Sequence, residues 1–260
     1  MSDPLAGVGV LITRPEQQAG PLCRLFEAQG ALVYQLPAIS IVEHPDRRAV
    51  FAQLAPLPDF DLIIFTSVNA VRFGAPLLAG RRDLTLAAIG PATARALNQE
   101  GYRIGIVPPE GFDSEHLLES PRLLRVAGAR VLLVKGAGGR ELLEQTLTAR
   151  GARVQVAMVY ERRPATPSPQ KLEEVERAMA GGRVHLVTAT SLEIARQLLA
   201  IVPASLRHRL EQATWLVPGA RVGAGIRAAG VTGTLLTADS AEDQALVEAA
   251  LRWRSSVSGA

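Results

Sequence analysis

Cysteine, lysine and aromatic residues are scarce in this sequence of 260 residues. The single cysteine, Cys23, cannot form a disulfide within the chain, and it is expected to pack on a buried helix face. Aromatic residues make up 4% of the chain, which argues against the stacking platforms that bind bases or sugars. Runs of aliphatic and aromatic residues are only about four residues long, as at Leu62–Phe65, far shorter than the roughly 20 residues that a membrane helix needs.

The remaining composition is that of a globular protein. Hydrophobic residues make up 48% and charged residues 20% of the chain, which suits one large domain or two small ones. The sequence opens with Met-Ser-Asp-Pro, without a basic stretch followed by an apolar one. This start predicts no signal peptide, and the protein is expected in the cytoplasm.

Arginine supplies nearly all of the positive charge. There are 28 basic and 25 acidic residues, and Lys135 and Lys171 are the only lysines. A guanidinium pairs bidentately with carboxylate or phosphate, so the excess of arginine is compatible with an anionic ligand. Codon usage in a GC-rich genome is the simpler explanation for that excess. The arginines are scattered and form no basic stripe, so nucleic-acid binding is weakly supported.

Short aliphatic runs alternate with helical patterns along the whole chain. A strand is predicted over 8–13, then a helix over 16–29 that ends at Gly30, then a strand over 31–36. The same alternation predicts further strands over 61–66, 86–89, 103–107, 130–134, 153–156, 185–188, 214–217 and 234–237. This rhythm is typical of parallel sheets covered by helices on both faces.

The chain also repeats itself, at an offset of 121 in its clearest part. Val10–Pro15 matches Val131–Gly136, and Gly30–Val33 matches Gly151–Val154. Two further pairs of segments match in the same order, 62–71 with 186–195 and 89–101 with 218–230. The chain therefore contains two copies of one α/β unit of about 110 residues.

Two corresponding segments, 37–45 and 157–166, interrupt the rhythm, and both are β-prone and bounded by proline. If each leaves one lobe and enters the other, they form a pair of linker strands. The lobes are then a continuous one over 46–156 and a discontinuous one made of 1–36 and 167–260. On the repeat alone, two consecutive lobes divided near residue 125 remain the alternative.

Standard catalytic motifs are missing. The four histidines lack metal-ligand spacing, and there is no nucleophile elbow or Walker loop. The segment Gly223–Ala228 matches a degenerate dinucleotide-binding fingerprint. The repeat places it inside a helix rather than at a strand-to-helix turn, which argues against cofactor binding there.

Small polar residues and cations instead follow several predicted strands. In open α/β sheets this edge binds ligands, because helix N-termini present unpaired N–H groups there. The segments concerned are 13–15, 66–69, 90–93, 135–140, 190–191 and 218–221. Helix capping or a tight turn explains each one alone. Together they predict two facing lobes lined with donors, suited to a flexible ligand with many negative charges.

From residue 11 to the closing helix after Ser240, the sequence resembles the uroporphyrinogen-III synthases. The segments that carry the resemblance are Ile64–Val71, Ile89–Leu97, Phe112–Leu118, Val134–Arg140 and Val159–Tyr160. No single segment is specific, but their order and spacing are. The resemblance implies an α/β protein with two similar parallel-sheet, flavodoxin-like lobes, joined by a two-stranded β linker, with one lobe discontinuous.

The resemblance also implies an activity. The family, a group of lyases in haem, sirohaem and cobalamin biosynthesis, converts linear hydroxymethylbilane into uroporphyrinogen III. Water is lost and the last pyrrole ring is inverted, without a metal or organic cofactor. The lobes are expected to close on the substrate's eight carboxylates. The protein is expected to act as a monomer, with a transient contact with the preceding pathway enzyme and none with nucleic acid or membrane.

By family position, Tyr160 is the candidate that assists departure of the substrate hydroxyl, and a tyrosine that merely packs between the lobes is the alternative. The candidates for substrate binding are Thr13, Arg14, Ser67, Asn69, Thr93, Lys135, Gly136, Arg140, Thr190, Ser191 and Arg221. Many relatives carry a threonine pair where this chain has Arg221-Val222, so Arg221 is the candidate replacement as a carboxylate ligand. A non-catalytic two-lobe receptor for a small polyanion and an arginine-rich nucleic-acid regulator are the other functions considered.

Overall fold

The structure is a computed structural model that describes residues 3–54 and 60–258. The described chain divides into two compact units. Unit 1 consists of the chain up to Ser40 together with the chain from Arg163 onward, and unit 2 is Ile41–Arg162. No helix among the residues described is long and apolar enough to cross a membrane.

Strands and helices alternate through both units. In chain order the elements are β1 (Gly9–Ile12), α1 (Glu16–Glu27), β2 (Leu32–Gln35), β3 (Ile39–Glu43), α2 (Arg47–Leu54), β4 (Leu62–Phe65), α3 (Val68–Gly74), a 3-10 helix (Ala75–Leu78), β5 (Leu86–Ala88), α4 (Pro91–Gln99), α5 (Ser114–Leu118), α6 (Pro121–Leu124), β6 (Arg130–Gly136), α7 (Leu142–Ala149), β7 (Arg153–Pro164), α8 (Pro169–Ala180), β8 (Leu186–Thr188), α9 (Leu192–Ile201), α10 (Ala204–Gln212), β9 (Thr214–Pro218), α11 (Gly219–Ala228), β10 (Leu235–Ala238) and α12 (Asp243–Ser258).

The sheet of unit 1 has the strand order β10-β9-β8-β1-β2, and all of its pairs are parallel. Numbered along the chain, this is the order 2-1-3-4-5 of doubly wound folds such as flavodoxin. Helix α1 covers the sheet with its buried residues Leu22, Cys23 and Phe26. Burial also raises the pKa of the Cys23 thiol, as expected for a packed rather than a reactive cysteine.

The sheet of unit 2 has the order β3-β7-β6-β4-β5, and the pairs from β7 to β5 are parallel. A lone parallel bridge joins Ala87 of β5 to Ile106. With Ile106 counted as a fifth position, β6, β7, β4 and β5 take the places of β1, β2, β8 and β9 in unit 1. The prediction of parallel α/β architecture in two similar copies is confirmed.

Two strand predictions need correction. The segment 103–107 forms only the bridge at Ile106, because Gly105 weakens strand structure and Pro108 and Pro109 have no N–H to donate. Residues 153–156 and the predicted linker that follows them form one continuous strand, β7, of 12 residues.

The segments predicted as linker strands pair with each other, since β3 lies beside β7. The His44 N–H donates to the Val159 carbonyl at 3.1 Å, and the Ala165 N–H donates to the Ala38 carbonyl at 3.0 Å. Residue numbers rise along one strand as they fall along the other, so the two strands run antiparallel.

Helix α3 approaches the sheet of unit 2 closely, because its last residue is glycine. A Cβ on Gly74 would stand 2.5 Å from a methyl carbon of Val134 in β6, and the ring of Phe65 is next nearest at 3.4 Å. Val134 and Phe65 are fully buried, so neither has room to move aside. The close approach fixes the helix that begins just after Ser67.

Gly74→Ala is expected to destabilise the protein by about 1–3 kcal/mol, the usual cost of overpacking a filled core. Gly20→Ala is the matched control, because the added methyl in α1 would meet only the flexible end of Arg24, at 3.3 Å. Alanine should stabilise that helix by up to about 1 kcal/mol. Urea midpoints measure both changes, and equal midpoints for the two variants would contradict the packing argument.

Candidate functional site

In unit 2, a cavity of about 340 Å³ opens where β4 and β6 end, beside Tyr160 and Arg162 of β7. This is the edge at which parallel α/β sheets bind ligands. Its polar and charged lining residues are Thr66, Ser67, Ser114, Lys135, Arg140, Tyr160 and Arg162, and the backbone of 136–139 completes the wall. Four predicted site residues besides Tyr160 therefore lie around one cavity, namely Ser67, Lys135, Gly136 and Arg140.

Tyr160 reaches this cavity through an irregularity in strand pairing. Lys135 is paired with Met158, but the next residue, Gly136, is paired with Tyr160, so Val159 is an extra residue on β7. The shifted register is held by the Ala137 N–H, which donates to the Tyr160 carbonyl at 2.7 Å. The result places the tyrosine side chain directly against Gly136.

The phenol ring of Tyr160 lies on Gly136 and leaves no room for a side chain there. A Cβ on Gly136 would stand between 2.5 and 2.9 Å from three carbons of the ring. The ring also stacks with Phe73 of α3, with centroids 6.0 Å apart and planes at 26°. Tyr160 is only 5% exposed, so its ring has a fixed position.

The hydroxyl groups of Tyr160 and Ser67 form a hydrogen bond of 3.1 Å. Ser67 is also the N-cap of α3, where its hydroxyl oxygen accepts the Ala70 N–H at 3.0 Å. Because β4 and β7 lie on either side of β6, the tyrosine side chain spans the middle strand to reach this serine. Strand spacing of about 4.8 Å makes that crossing possible over a glycine.

The loop between β6 and α7 supplies backbone donors. Gly138 and Gly139 have φ angles of +74° and +80°, which other residues rarely adopt. Within the part of the chain that the structure describes, the N–H groups of Gly138, Gly139 and Arg140 donate to no backbone carbonyl. They are therefore free to bind an anion in the way that glycine-rich loops do.

The charged side chains around the cavity are mostly cationic. Lys135 directs its ammonium toward the Arg140 carbonyl at 3.4 Å, and Arg140 forms an ion pair with Glu115 of α5. That pair is exposed, at 62% and 47% of the two side chains, and contributes little to stability. Arg162 adds a third cation to the lining, which makes the cavity suited to carboxylates.

Asn69 and Thr93 are less accessible than predicted. Asn69 lies in α3 and is 8% exposed, and Thr93 lies in the first turn of α4 and is 3% exposed. Neither residue lines the cavity described above. Their part in binding stays a prediction.

In unit 1, Thr13 and Arg14 are engaged by the protein itself. The fully buried Thr13 hydroxyl donates to the Thr188 carbonyl, and the Thr188 hydroxyl donates to the Leu11 carbonyl, so these groups join β1 to β8. Arg14 forms an ion pair with Asp243 at the start of α12. These contacts give both residues a structural role in this structure.

The other predicted residues of unit 1 stay accessible. Ser191 caps α9 by accepting the Ile194 N–H at 3.2 Å, as its counterpart Ser67 caps α3. Thr190 is half-buried, and Arg221 is exposed in the first turn of α11. Gly223 and Gly225 lie inside that helix, as the repeat predicted, and form no strand-to-helix turn.

A second polar cavity, of about 480 Å³, lies within unit 1 beyond the end of β2. Its lining includes Gln17, Gln35, Ser40, Thr166, Ser168 and Lys171. None of these residues was predicted, because Lys171 and Ser168 begin a helix rather than follow a strand. Ser168 caps α8 by accepting the Lys171 N–H at 3.3 Å.

Three residues of the unit 2 site were missed by sequence reasoning. Arg162 follows Tyr160 by two positions on one strand, and this spacing was a usable signal because such residues share a face. Ser114 lies in a segment already singled out, Phe112–Leu118. Phe73 gave no signal, since its stacking depends on how α3 packs.

The segment Phe112–Leu118 borders the cavity and contains a His–Asp pair. Asp113 accepts the His116 N–H at 2.9 Å as the N-cap of α5, and it lies 2.6 Å from the ring Nδ1 of the same histidine. This ring hydrogen bond raises the pKa of His116 above its ordinary value of 6.5. The backbone N–H of His116, followed by its ring, lowers the pKa of Asp113.

The sequence is similar to known proteins over most of its length. The family model described as uroporphyrinogen-III synthase HemD matches residues 21–248. The chain belongs to the uroporphyrinogen-III synthase family. It is 34% identical to the uroporphyrinogen-III synthase of Salmonella typhimurium and 32% identical to that of Escherichia coli. Each alignment covers 93% of this chain and 99% of the relative.

Solved structures of uroporphyrinogen-III synthases share the fold. The Helicobacter pylori protein aligns with a TM-score of 0.61 at 17% identity, over 95% of this chain and 99% of the other. A mutant of the Thermus thermophilus protein aligns with a TM-score of 0.56 at 22% identity, over 94% and 98%. At these identities the likeness concerns the fold alone.

Asp113→Asn is expected to lower the pKa of His116 toward 6.5, because the amide keeps the cap but removes the charge. The raised pKa of His116 means that its stabilising contribution is complete below about pH 6.5 and is lost as pH rises through the folded-state value. The Asp113 contribution is lost as pH falls through its lowered value. NMR titration of the His116 imidazole measures its pKa in each variant. Asp83→Asn is the control, because Asp83 is an exposed carboxylate that pairs with Arg81 instead. An unchanged His116 pKa in Asp113→Asn would contradict the pairing.

Proposed function

We propose that this protein is a uroporphyrinogen-III synthase, a hydro-lyase that cyclises hydroxymethylbilane to uroporphyrinogen III and inverts the last pyrrole ring. The observation that carries the proposal is a fixed tyrosine hydroxyl in a cationic cavity at the carboxyl edge of the unit 2 sheet. Family membership across residues 21–248 supports the enzyme over the non-catalytic receptor. The reaction belongs to haem, sirohaem and cobalamin biosynthesis.

The substrate's carboxylates fit the charge of the cavity. Lys135, Arg140 and Arg162 line it together with the free N–H groups of the Gly138–Gly139 loop. Donors fixed in advance bind anions without reorganisation, which is the main requirement for holding a flexible polyanion in one shape. Thr190, Ser191 and Arg221 of unit 1 are proposed to bind further acetate or propionate arms.

The proposed reaction needs little acid–base catalysis by side chains. The pyrrole nitrogen lone pair expels the hydroxyl, the C–O bond breaks with its electrons on oxygen, and an azafulvenium cation remains. Tyr160 donates its proton to the departing oxygen, which leaves as water. The proton released when the pyrrole becomes aromatic again returns to the phenolate, so the enzyme is restored.

The inversion is a matter of geometry. Free hydroxymethylbilane closes without inversion, so the enzyme has to hold the chain where attack occurs at the substituted carbon of the last ring. This attack gives a spiro intermediate. The bond from the attacked carbon to its original methylene bridge then breaks, and the bridge bonds again at the unsubstituted α-carbon of the same ring, whose proton is lost as the pyrrole becomes aromatic. Conformational restriction and charge stabilisation supply most of the barrier reduction, which explains a site without a nucleophile–base pair.

Several further features belong to the same proposal. The enzyme is proposed to act in the cytoplasm as a monomer, without a resident metal or organic cofactor, and to contact the preceding pathway enzyme transiently. Support for these features comes from the family resemblance and the composition of the chain.

The purified protein, supplied with freshly generated hydroxymethylbilane, is expected to yield the type III isomer without an added cofactor. Chromatography of the oxidised porphyrins separates type III from type I. Spontaneous closure in a protein-free sample gives the type I reference. A reaction that yields only type I would disprove the proposed function.

Tyr160→Phe is expected to lower kcat about ten- to a hundredfold while type III stays the product, because positioning outweighs proton donation. The ring contacts with Gly136 and Phe73 survive in this variant, so its folding should be retained. Complete loss of activity with an unchanged thermal midpoint would show that Tyr160 carries more of the acid chemistry than proposed.

A further inference from the structure

The hydrogen bond between Ser67 and Tyr160 limits how both hydroxyl groups can be used. A serine hydroxyl has one proton to donate and two lone pairs to accept with. One lone pair of Ser67 is occupied by the Ala70 N–H at 3.0 Å. The 3.1 Å contact with the Tyr160 oxygen then has two arrangements, with either Tyr160 or Ser67 as donor.

The two arrangements differ in what Tyr160 can offer a ligand. If Tyr160 donates to Ser67, its proton is already engaged. If Ser67 donates to Tyr160, the phenol proton is free to point into the cavity. The N–H bond from Ala70 favours the second arrangement, because a hydroxyl that accepts a hydrogen bond becomes a better donor.

The surroundings hold the pair in place. Gly136 and Phe73 both pack against the Tyr160 ring, and the cap of α3 fixes the Ser67 oxygen. Tyr160 is 5% exposed, so water has little access to replace the serine. Ser67 is therefore the side chain placed to hold the phenol oxygen when its proton departs.

We infer that Ser67 is the positioning residue of Tyr160: it donates a hydrogen bond to the phenolic oxygen and so directs the phenol proton toward the leaving hydroxyl. This inference rests on the proposed function and replaces the carboxylate-binding role predicted for Ser67 from sequence. As the phenol proton moves to the leaving oxygen and water forms, the negative charge appears on the Tyr160 oxygen. The Ser67 hydrogen bond becomes charge-assisted and strengthens at that moment.

The internal repeat provides a matched comparison. Ser191 caps α9 through the Ile194 N–H, yet no side-chain partner for its hydroxyl occurs among the residues that the structure describes. The repeat aligns Gly136 with Pro15, so unit 1 lacks the glycine over which an aromatic ring could lie. The two serines share a capping role, and Ser67 alone has the tyrosine.

A double-mutant cycle tests the inference with Ser67→Ala, Tyr160→Phe and the combined variant in the isomer assay. Ser67→Ala is expected to lower kcat about tenfold, or about 1.4 kcal/mol, with KM changed less than twofold. With Tyr160→Phe already present, removal of Ser67 should change kcat less than twofold. Equal effects in both backgrounds would overturn the inference, as would a raised KM with kcat retained, which is the result for a carboxylate ligand.

Two further variants separate positioning from folding. Ser67→Thr keeps the hydroxyl and the cap and should restore kcat to within about threefold of the wild type, whereas a kcat as low as that of Ser67→Ala would count against the inference. Ser67→Gly removes the hydroxyl at a small capping cost and should behave like Ser67→Ala, which covers the case in which alanine impairs folding. Wild-type kcat in Ser67→Gly would overturn the inference.

Ser191→Ala is the control for loss of a cap. Its effect on kcat should be the same with and without Tyr160→Phe, and its thermal midpoint should fall about as far as that of Ser67→Ala. Coupling of Ser191 to Tyr160 as strong as that of Ser67 would overturn the inference. Failure of the proposed function shows separately, in the wild-type product: type I alone would disprove both, and type III with an additive Ser67 cycle would disprove only the inference.

Discussion

One extra residue in the pairing of β6 with β7 sets the geometry on which the unit 2 site depends. The shift puts Gly136 rather than Ala137 opposite Tyr160, and the Ala137 N–H donates to the Tyr160 carbonyl at 2.7 Å. A regular register would pair Gly136 with Val159 instead. Bulges of this kind redirect a side chain next to an active site, and they are rare between parallel strands.

Three adjacent strands contribute residues to the site at that edge. β7 carries the tyrosine, β6 supplies the glycine beneath its ring and the cationic loop that follows, and β4 leads into the serine. Because the three strands are neighbours in one parallel sheet, residues from distant parts of the chain meet at this edge, and only the Tyr160 side chain has to cross a strand. A site built in this way fixes a hydroxyl and several anion donors with little conformational freedom, which suits a reaction controlled by substrate shape.

The two copies of the repeat have diverged in what they do at this edge. Both copies have a serine that caps the helix after corresponding strands, Ser67 after β4 and Ser191 after β8. In unit 2 the residues after β6 form an open glycine loop, whereas in unit 1 Arg14 is bound to Asp243 and Thr13 is buried against β8. Cationic side chains thus line this edge in unit 2, while unit 1 uses the corresponding residues to hold its own fold.

Periodicity, the internal repeat and strand-end residues are local properties, so the sequence by itself determined the parallel α/β architecture, the two copies and the segments that carry the site. It could not determine that the side chains of Thr13 and Arg14 bind other parts of the protein rather than a ligand. Their partners, Thr188 and Asp243, are far away in sequence. The tertiary structure alone decided that Tyr160 lies over Gly136 and meets Ser67. That contact needs a register shift between two strands and the close packing of α3, and neither has a signature in any single stretch of residues.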